Sequence, residues 1–169
     1  MNIALLKAVL VLPGTVLVFV PALLTWISEK TSYAAKATSF TQLSFWIGVA
    51  AAILGLILMI WTVTLFKALG GGGTPAPWDP VKKLVIRGPY RYVRNPMILG
   101  VFLGLLAESL LLQSLPIGAW LLFFVVGNAI YIPLREEKGL EKRFGQEYIE
   151  YKKHVPRWFP RTTPWTGTH

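Results

Sequence analysis

The sequence predicts an all-α integral membrane protein with about four transmembrane helices and a C-terminal amphipathic cytoplasmic helix, in a single domain covering residues 1–169. Three observations lead there. Hydrophobic residues make up 54% of the chain and charged residues 15%, and the mean hydropathy is +0.53, outside the range of ordinary soluble domains. The apolar residues gather into uninterrupted runs instead of recurring at amphipathic spacing. Lysine and arginine concentrate in alternate connections between those runs.

Each run is about the length needed to cross a hydrocarbon core of roughly 30 Å at 1.5 Å rise per residue. The first, about 9–27, contains Pro13, Gly14 and Pro21. A kink is expected there, tolerated where neighbours re-satisfy the freed backbone groups. Lys7 ahead of this run also suits a signal peptide, but the run is long and lacks a convincing small-residue cleavage site. The second, about 40–66, carries no charged residue and is long enough to tilt. The third, about 97–115, and the fourth, about 117–134, are separated only by Pro116 and read as a tight hairpin.

Orientation follows from the basic residues. The second connection holds Lys67, Lys82, Lys83, Arg87, Arg91 and Arg94, and the tail after Leu134 holds eight more lysines and arginines. The first connection has only Lys30 and Lys36 against Glu29, and the hairpin turn has none. Positive segments stay inside, so both termini are expected in the cytoplasm. Trp26, Trp46 and Trp120 then fall near the outer ends of their spans, where indoles favour the interface.

The net charge of +9 lies where membrane topology needs it, with no separate soluble domain to read a nucleic acid. Membrane lipids with anionic headgroups are the expected partners, and no nucleic acid. Without cysteine there is no disulfide, thiol nucleophile or cysteine-bound metal. The two histidines, His154 and His169, lie in the tail, which argues against a histidine metal centre or a Ser-His pair. No metal is expected, so chemistry falls to carboxylates, arginines, tyrosines, backbone groups or a bound cofactor.

The polar residues converge in two segments, 84–100 and 135–160. Before the first, Gly70–Gly73 and the proline-rich stretch to Pro80 read as a flexible connector; a phosphate loop would need a GK[ST] continuation that is missing. In the first segment Asn95 suits an N-cap and Pro96 the first turn of the third span. The arginines there serve equally as topology anchors or, beside a helix N-terminus, as a site for a carboxylate or phosphate. In the second, Glu136 and Glu137 stand at the mouth of the fourth span. Successive helical residues diverge by about 100°, so one glutamate faces a ligand while the other pairs with Arg135 or a loop arginine; a solvated charged cap is the plainer alternative. Leu140, Phe144, Tyr148 and Tyr151 recur at helical spacing and mark an amphipathic surface helix. Glu108, roughly 18 Å along the third helix from Pro96, is costly in lipid and either lines a substrate tunnel or is a protonated structural residue. Asn128 either faces the same pocket or bonds between helices.

The ordered elements Gly88-Pro89-Tyr90-Arg91-Tyr92-Val93-Arg94-Asn95-Pro96, Gly100, Glu136-Glu137, Phe144-Gly145, Tyr148, Tyr151 and Val155-Pro156-Arg157 resemble the membrane methyltransferases, which include isoprenylcysteine carboxyl methyltransferases and phospholipid N-methyltransferases. The resemblance covers about half the chain, from Gly73 to Pro160, and does not depend on the first two spans. It implies a helical membrane enzyme using S-adenosylmethionine, with Tyr90, Arg94, Asn95, Pro96, Gly100, Glu136 and Glu137 lining the cofactor site and the C-terminal helix covering it. Arg157 and Trp158 are weaker candidates. Asn95 is like the phospholipid branch, whereas the isoprenylcysteine enzymes usually carry His there; Ile98 fits neither branch well.

Methyl transfer from a sulfonium needs positioning and desolvation more than a strong side-chain nucleophile, so the missing thiol is no obstacle. Arg94 and Glu137 are the expected catalytic pair: Arg94 on the cofactor carboxylate, and a glutamate of the 136–137 pair accepting from its amino group or ribose. The acceptor is a lipophilic small molecule or lipid, such as a prenylcysteine-like carboxylate or a phospholipid amine. Two other classes stay open. Sterol-type reductases using NADPH also end in an aromatic, basic helix, and a non-catalytic membrane module would use every motif for capping and topology.

Overall fold

The computed structural model describes residues 11, 13–71 and 82–167. Lys7, the start of the first apolar run, most of the glycine- and proline-rich connector and His169 lie outside the described residues. Among the described residues the ordered elements are helical: α1 Val20–Ser28, α2 Leu43–Leu69, α3 Pro96–Leu111, α4 Leu115–Tyr131, α5 Glu137–Phe144 and α6 Gln146–His154. A π-helical turn, Thr15–Phe19, leads into α1, a second, Ile132–Glu136, joins α4 to α5, and a 3-10 turn covers Gly88–Arg91. The chain divides into two compact units, Met1–Ile57 with Gly100–Val126 and Leu58–Leu99 with Gly127–His169, and the division falls inside α2, α3 and α4.

Among the described residues two helices are long and apolar enough to cross a membrane, α2 and the continuous helix Leu115–Phe144, where four spans were expected. Their apolar windows are only 17% and 11% buried, and large side chains such as Leu54, Ile57, Leu122, Phe123 and Ile130 point outward. Core helices of a soluble protein would hide these faces; lipid is the solvent that suits them. The other two apolar helices, Thr15–Ser28 and Pro96–Leu111, are shorter.

α3 falls short because a segment distant in sequence caps its end. In the first unit, the Lys36 amide donates to the Leu112 carbonyl and the Thr38 amide to the Leu111 carbonyl, each at 2.8 Å. The connection after α1 thus takes up carbonyls that a longer helix would use, and Gln113 turns the chain with φ of +44°. The Gln113 side chain adds bonds to Thr38 and Gln42. The hairpin turn is therefore Leu112–Ser114, upstream of the expected position. Pro116 does not break the pair; it sits in the first turn of α4, where no N–H is needed, and the Ser114 hydroxyl accepts from the Ile117 amide. Glu108 consequently lies one turn from the end of α3 and not deep within a long span.

The expected kink in the first run takes the form of the Thr15–Phe19 π turn. The Val20 amide bonds back to the Thr15 carbonyl, and the next donor in that pattern would be Pro21, which has none. The Val16 carbonyl left over accepts instead from the Trp120 indole, at 3.1 Å. Trp120 is thus a polar clasp as well as an aromatic near a span end.

In the second unit, one amphipathic helix was expected after the fourth span and two are found. Gly145, with φ of +56°, separates α5 from α6, a conformation that glycine adopts at little cost. Tyr148, Tyr151 and Val155 form a small core, packed by Leu84, Ile86, Leu140, Phe144 and Trp165. The helical-spacing residues of the tail therefore pack against the segment ahead of α3.

Candidate functional site

The site is assembled entirely within the second unit, from the turn before α3 and from α5, α6 and the tail. Gly88 opens the turn with φ of +55°, and a β-carbon there would meet Trp61 and Leu65 at 3.0 Å, so both conformation and space call for glycine. Tyr90 is buried, its ring 5.3 Å from that of Phe66, and its carbonyl accepts from the Tyr151 hydroxyl at 2.7 Å. The tail runs back along the same turn: the Arg94 amide donates to Pro156, the Arg161 amide to Tyr92 and the Trp165 amide to Arg91, at 2.9 to 3.0 Å.

Glu137 is the centre. The apolar part of the long helix ends at Leu134, and the π turn that follows contains Pro133. Proline removes a backbone donor and the ladder slips to i→i+5, which changes the faces that later side chains occupy. Glu137 ends up 2% exposed, whereas Glu136 is exposed. The Glu137 carboxylate receives Arg157 Nε on Oε1 at 2.7 Å and Nη2 on Oε2 at 3.0 Å. Arg94 Nη1 lies 2.9 Å from Oε1 and Lys152 Nζ lies 3.2 Å from Oε2. Lys152 also bonds Glu141 at 2.8 Å. Burial alone would raise the Glu137 carboxyl, but the Arg157 hydrogen bond, the Arg94 charge and Lys152 outweigh it and hold it below the usual carboxylate range.

Arg94 is itself 8% exposed, and its Nε and Nη1 are buried with no hydrogen-bond partner; the 2.9 Å contact of Nη1 with Glu137 is an ion pair without hydrogen-bond alignment. The adjacent Asn95 Nδ2 is buried and unpartnered as well. Arg94 Nε and Asn95 Nδ2, orphaned donors at the start of a helix, are costly unless an acceptor joins them. Asn95 takes the N-cap place through its backbone, its carbonyl accepting from the Leu99 amide, and Pro96 is buried in the first turn. Tyr148 has its phenol pushed up to about 12, chiefly by burial and then by the Glu137 charge.

The structure thus gathers Tyr90, Arg94, Asn95, Pro96 and Glu137, with Arg157 promoted from a weaker candidate to the strongest partner of Glu137. Gly100 falls in the first unit, where its carbonyl would lie 2.8 Å from a β-carbon on Gly55, a close helix crossing. Trp158 and Asn128 are half-buried. Glu108, in the first unit, keeps one buried oxygen without a hydrogen-bond partner. Lys152 escaped the sequence reading because Gly145 re-aims the chain between it and Glu137, which removes any helical spacing between them.

A family model for phospholipid methyltransferases matches residues 43–147. The chain belongs to the phospholipid methyltransferase family. Membership implies methyltransferase activity at a membrane, in keeping with the two exposed apolar helices. The match begins at α2, earlier than the ordered motifs suggested, and ends inside α6; Lys152 and Arg157 lie beyond it. No curated protein and no solved structure matches the chain.

Proposed function

We propose that this family member transfers the methyl group of S-adenosylmethionine to a lipophilic acceptor at the cytoplasmic membrane face. The observation that carries the reading is the buried Arg94 guanidinium, its Nε orphaned and its Nη1 held only by an unaligned ion pair, beside the orphaned Asn95 amide. A carboxylate such as that of the cofactor suits this donor set, since a planar guanidinium presents paired donors. Glu137 and the exposed Glu136 supply acceptors for an amino or ribose hydroxyl group. When bound, S-adenosylmethionine supplies an activated methyl carbon.

The chain's own residues then have defined tasks. Arg94 and Asn95 orient the anion. Glu137, kept ionised by three cations, fixes Arg94 in place and is a poor proton acceptor, so the acceptor arrives in its reactive protonation state or loses its proton elsewhere. The tail backbone bonds to Arg91, Tyr92 and Arg94 keep the turn rigid, which serves orientation. The exposed Ile130, Tyr131 and Leu134, in the same unit as the site, give a lipophilic acceptor a lateral approach, and the basic connection and tail favour the cytoplasmic side.

Calorimetric titration of detergent-purified protein with S-adenosylmethionine, S-adenosylhomocysteine and NADPH tests the reading. Saturable binding of the first two is expected, weakened about tenfold or more in Arg94→Ala through loss of charge-assisted hydrogen bonds. NADPH binding alone, or no binding by folded protein, overturns it. The acceptor is then sought in lipid extracts as a species heavier by one methylene.

A further inference from the structure

Residues 157–160 form a loop tied down at both ends. The Arg94 amide holds the Pro156 carbonyl on one side and the Arg161 amide holds the Tyr92 carbonyl on the other, at 2.9 and 3.0 Å. Val155 before the loop is buried, and Arg157 within it is gripped by Glu137. At the tip, Phe159 is 84% exposed, the most outward of the large hydrophobic side chains described.

A lone exposed apolar side chain is ordinary on a protein surrounded by water, but the place of this one is not arbitrary. Its anchors, Tyr92 and Arg94, lie four and two residues ahead of Pro96, where the apolar helix α3 begins. The loop is therefore held at the level where the chain meets hydrocarbon. Arg161, one of whose guanidinium nitrogens donates to the His154 carbonyl at 2.7 Å, follows it, and the Lys153 side chain, 62% exposed and 3.6 Å from Glu150, stands before it. An outward aromatic between cations is the pattern that settles at a lipid surface, ring in the headgroup boundary and charges on the phosphates.

We propose that this loop is an interfacial anchor: Phe159 inserts into the headgroup boundary of an anionic lipid surface, and Lys153 and Arg161 sit on the headgroups. The anchor rests on the membrane reading of the chain and not on methyl transfer. By setting the loop that carries Arg157, it would also fix the depth of the Glu137 cluster relative to a lipid acceptor.

Because the chain has no cysteine, single labels report cleanly. Phe159→Cys, Thr163→Cys and Ile57→Cys, each in an otherwise unchanged chain, are spin-labelled and reconstituted in phosphatidylcholine vesicles and in equal parts phosphatidylcholine and phosphatidylglycerol. Collision with oxygen and with a water-soluble nickel chelate is measured, and circular dichroism verifies that each variant is folded. Expected is an Ile57 label in lipid, a Thr163 label in water, and a Phe159 label that loses nickel collisions relative to Thr163, more so with the anionic lipid. A Phe159 label as nickel-accessible as Thr163, or one shielded equally in both vesicles, overturns the anchor while a lipid-exposed Ile57 label leaves the membrane reading standing. An Ile57 label in water overturns both.

Discussion

Arg157 closes on Glu137 as a two-point fork, with Nε on Oε1 at 2.7 Å and Nη2 on Oε2 at 3.0 Å. The pair joins the tail to the end of the long helix across twenty residues of sequence. A guanidinium reaches both oxygens at once; an ammonium cannot. Arg157→Lys should therefore keep the charge yet lose about 1 kcal/mol, and Arg157→Ala about 2 to 3 kcal/mol, as expected for charge-assisted bonds to a buried carboxylate. Unfolding in detergent micelles followed by circular dichroism checks both. Equal stability of Arg157→Lys and the parent chain would show that only the charge counts.

The same carboxylate makes stability depend on acid. Glu137 is held below its ordinary value in the folded protein because the arginines and Lys152 outweigh its burial. A depressed carboxyl contributes stability that is fully present above the unfolded value, near 4.3 or so, and that is lost as pH falls through the lower folded value. The thermal midpoint should drop on acidification from about pH 5 to about pH 3. Glu137→Gln should start lower, since it leaves Arg94 buried without a countercharge, and then fall less over that window. A parallel acid loss in both proteins would assign the effect to other carboxylates.

Three of the six tyrosines should resist ionisation. Tyr148 is pushed up to about 12, by burial first and the Glu137 charge second, and Tyr90 and Tyr151 are raised as well, again mainly by burial. A raised phenol contributes stability that is present below the unfolded value of about 10 and lost as pH rises toward the folded one. In ultraviolet titration of tyrosinate the signal of Tyr90, Tyr148 and Tyr151 should be missing near pH 10 and emerge only with unfolding. Complete ionisation of all six near pH 10 in folded protein would contradict the packing of α6 on the turn.

The helical, membrane-associated class was legible because apolar runs act through composition alone, and the Asn95-Pro96 start of α3 was visible as a local pattern. The helix ends were not, because what stops α3 at Leu111 is a pair of amides, Lys36 and Thr38, more than seventy residues away in sequence. Spacing established that Glu136 and Glu137 could not face one pocket together. Which of them turned inward depended on the π turn at Pro133, whose slip of one backbone bond no side-chain periodicity records. Lys152 was hidden by Gly145 in the same way, and Arg157 stood out only once the tail was seen to fold back on Tyr92.

Two glycines should answer the same substitution in opposite ways. Gly88→Ala places a side chain at φ of +55° against Trp61 and Leu65 at 3.0 Å, so a loss of about 1 to 2 kcal/mol is expected from the left-handed backbone alone. Gly139 lies within α5 with nothing near a new β-carbon, so Gly139→Ala should gain about 0.5 to 1 kcal/mol through helix propensity. Thermal midpoints of the two variants decide it. A stable Gly88→Ala protein would mean that the turn before Tyr90 is free to take another conformation.

The bond from Trp120 to the Val16 carbonyl exists because Pro21 has no N–H to offer in the π turn, and that dependence is testable by coupling. Trp120→Phe keeps the ring and removes the donor, stranding a carbonyl in an apolar setting at a cost of about 1 to 3 kcal/mol. Pro21→Ala restores a backbone donor that the Val16 carbonyl can use, so the turn repairs itself locally. In the double variant the Trp120→Phe cost should shrink, giving a positive coupling of about 0.5 kcal/mol or more in a double-mutant cycle. Unfolding of the four proteins in the same detergent measures it. Additive effects would mean that Val16 finds its hydrogen bond elsewhere, and that the Trp120 ring, not its N–H, is what holds the first run.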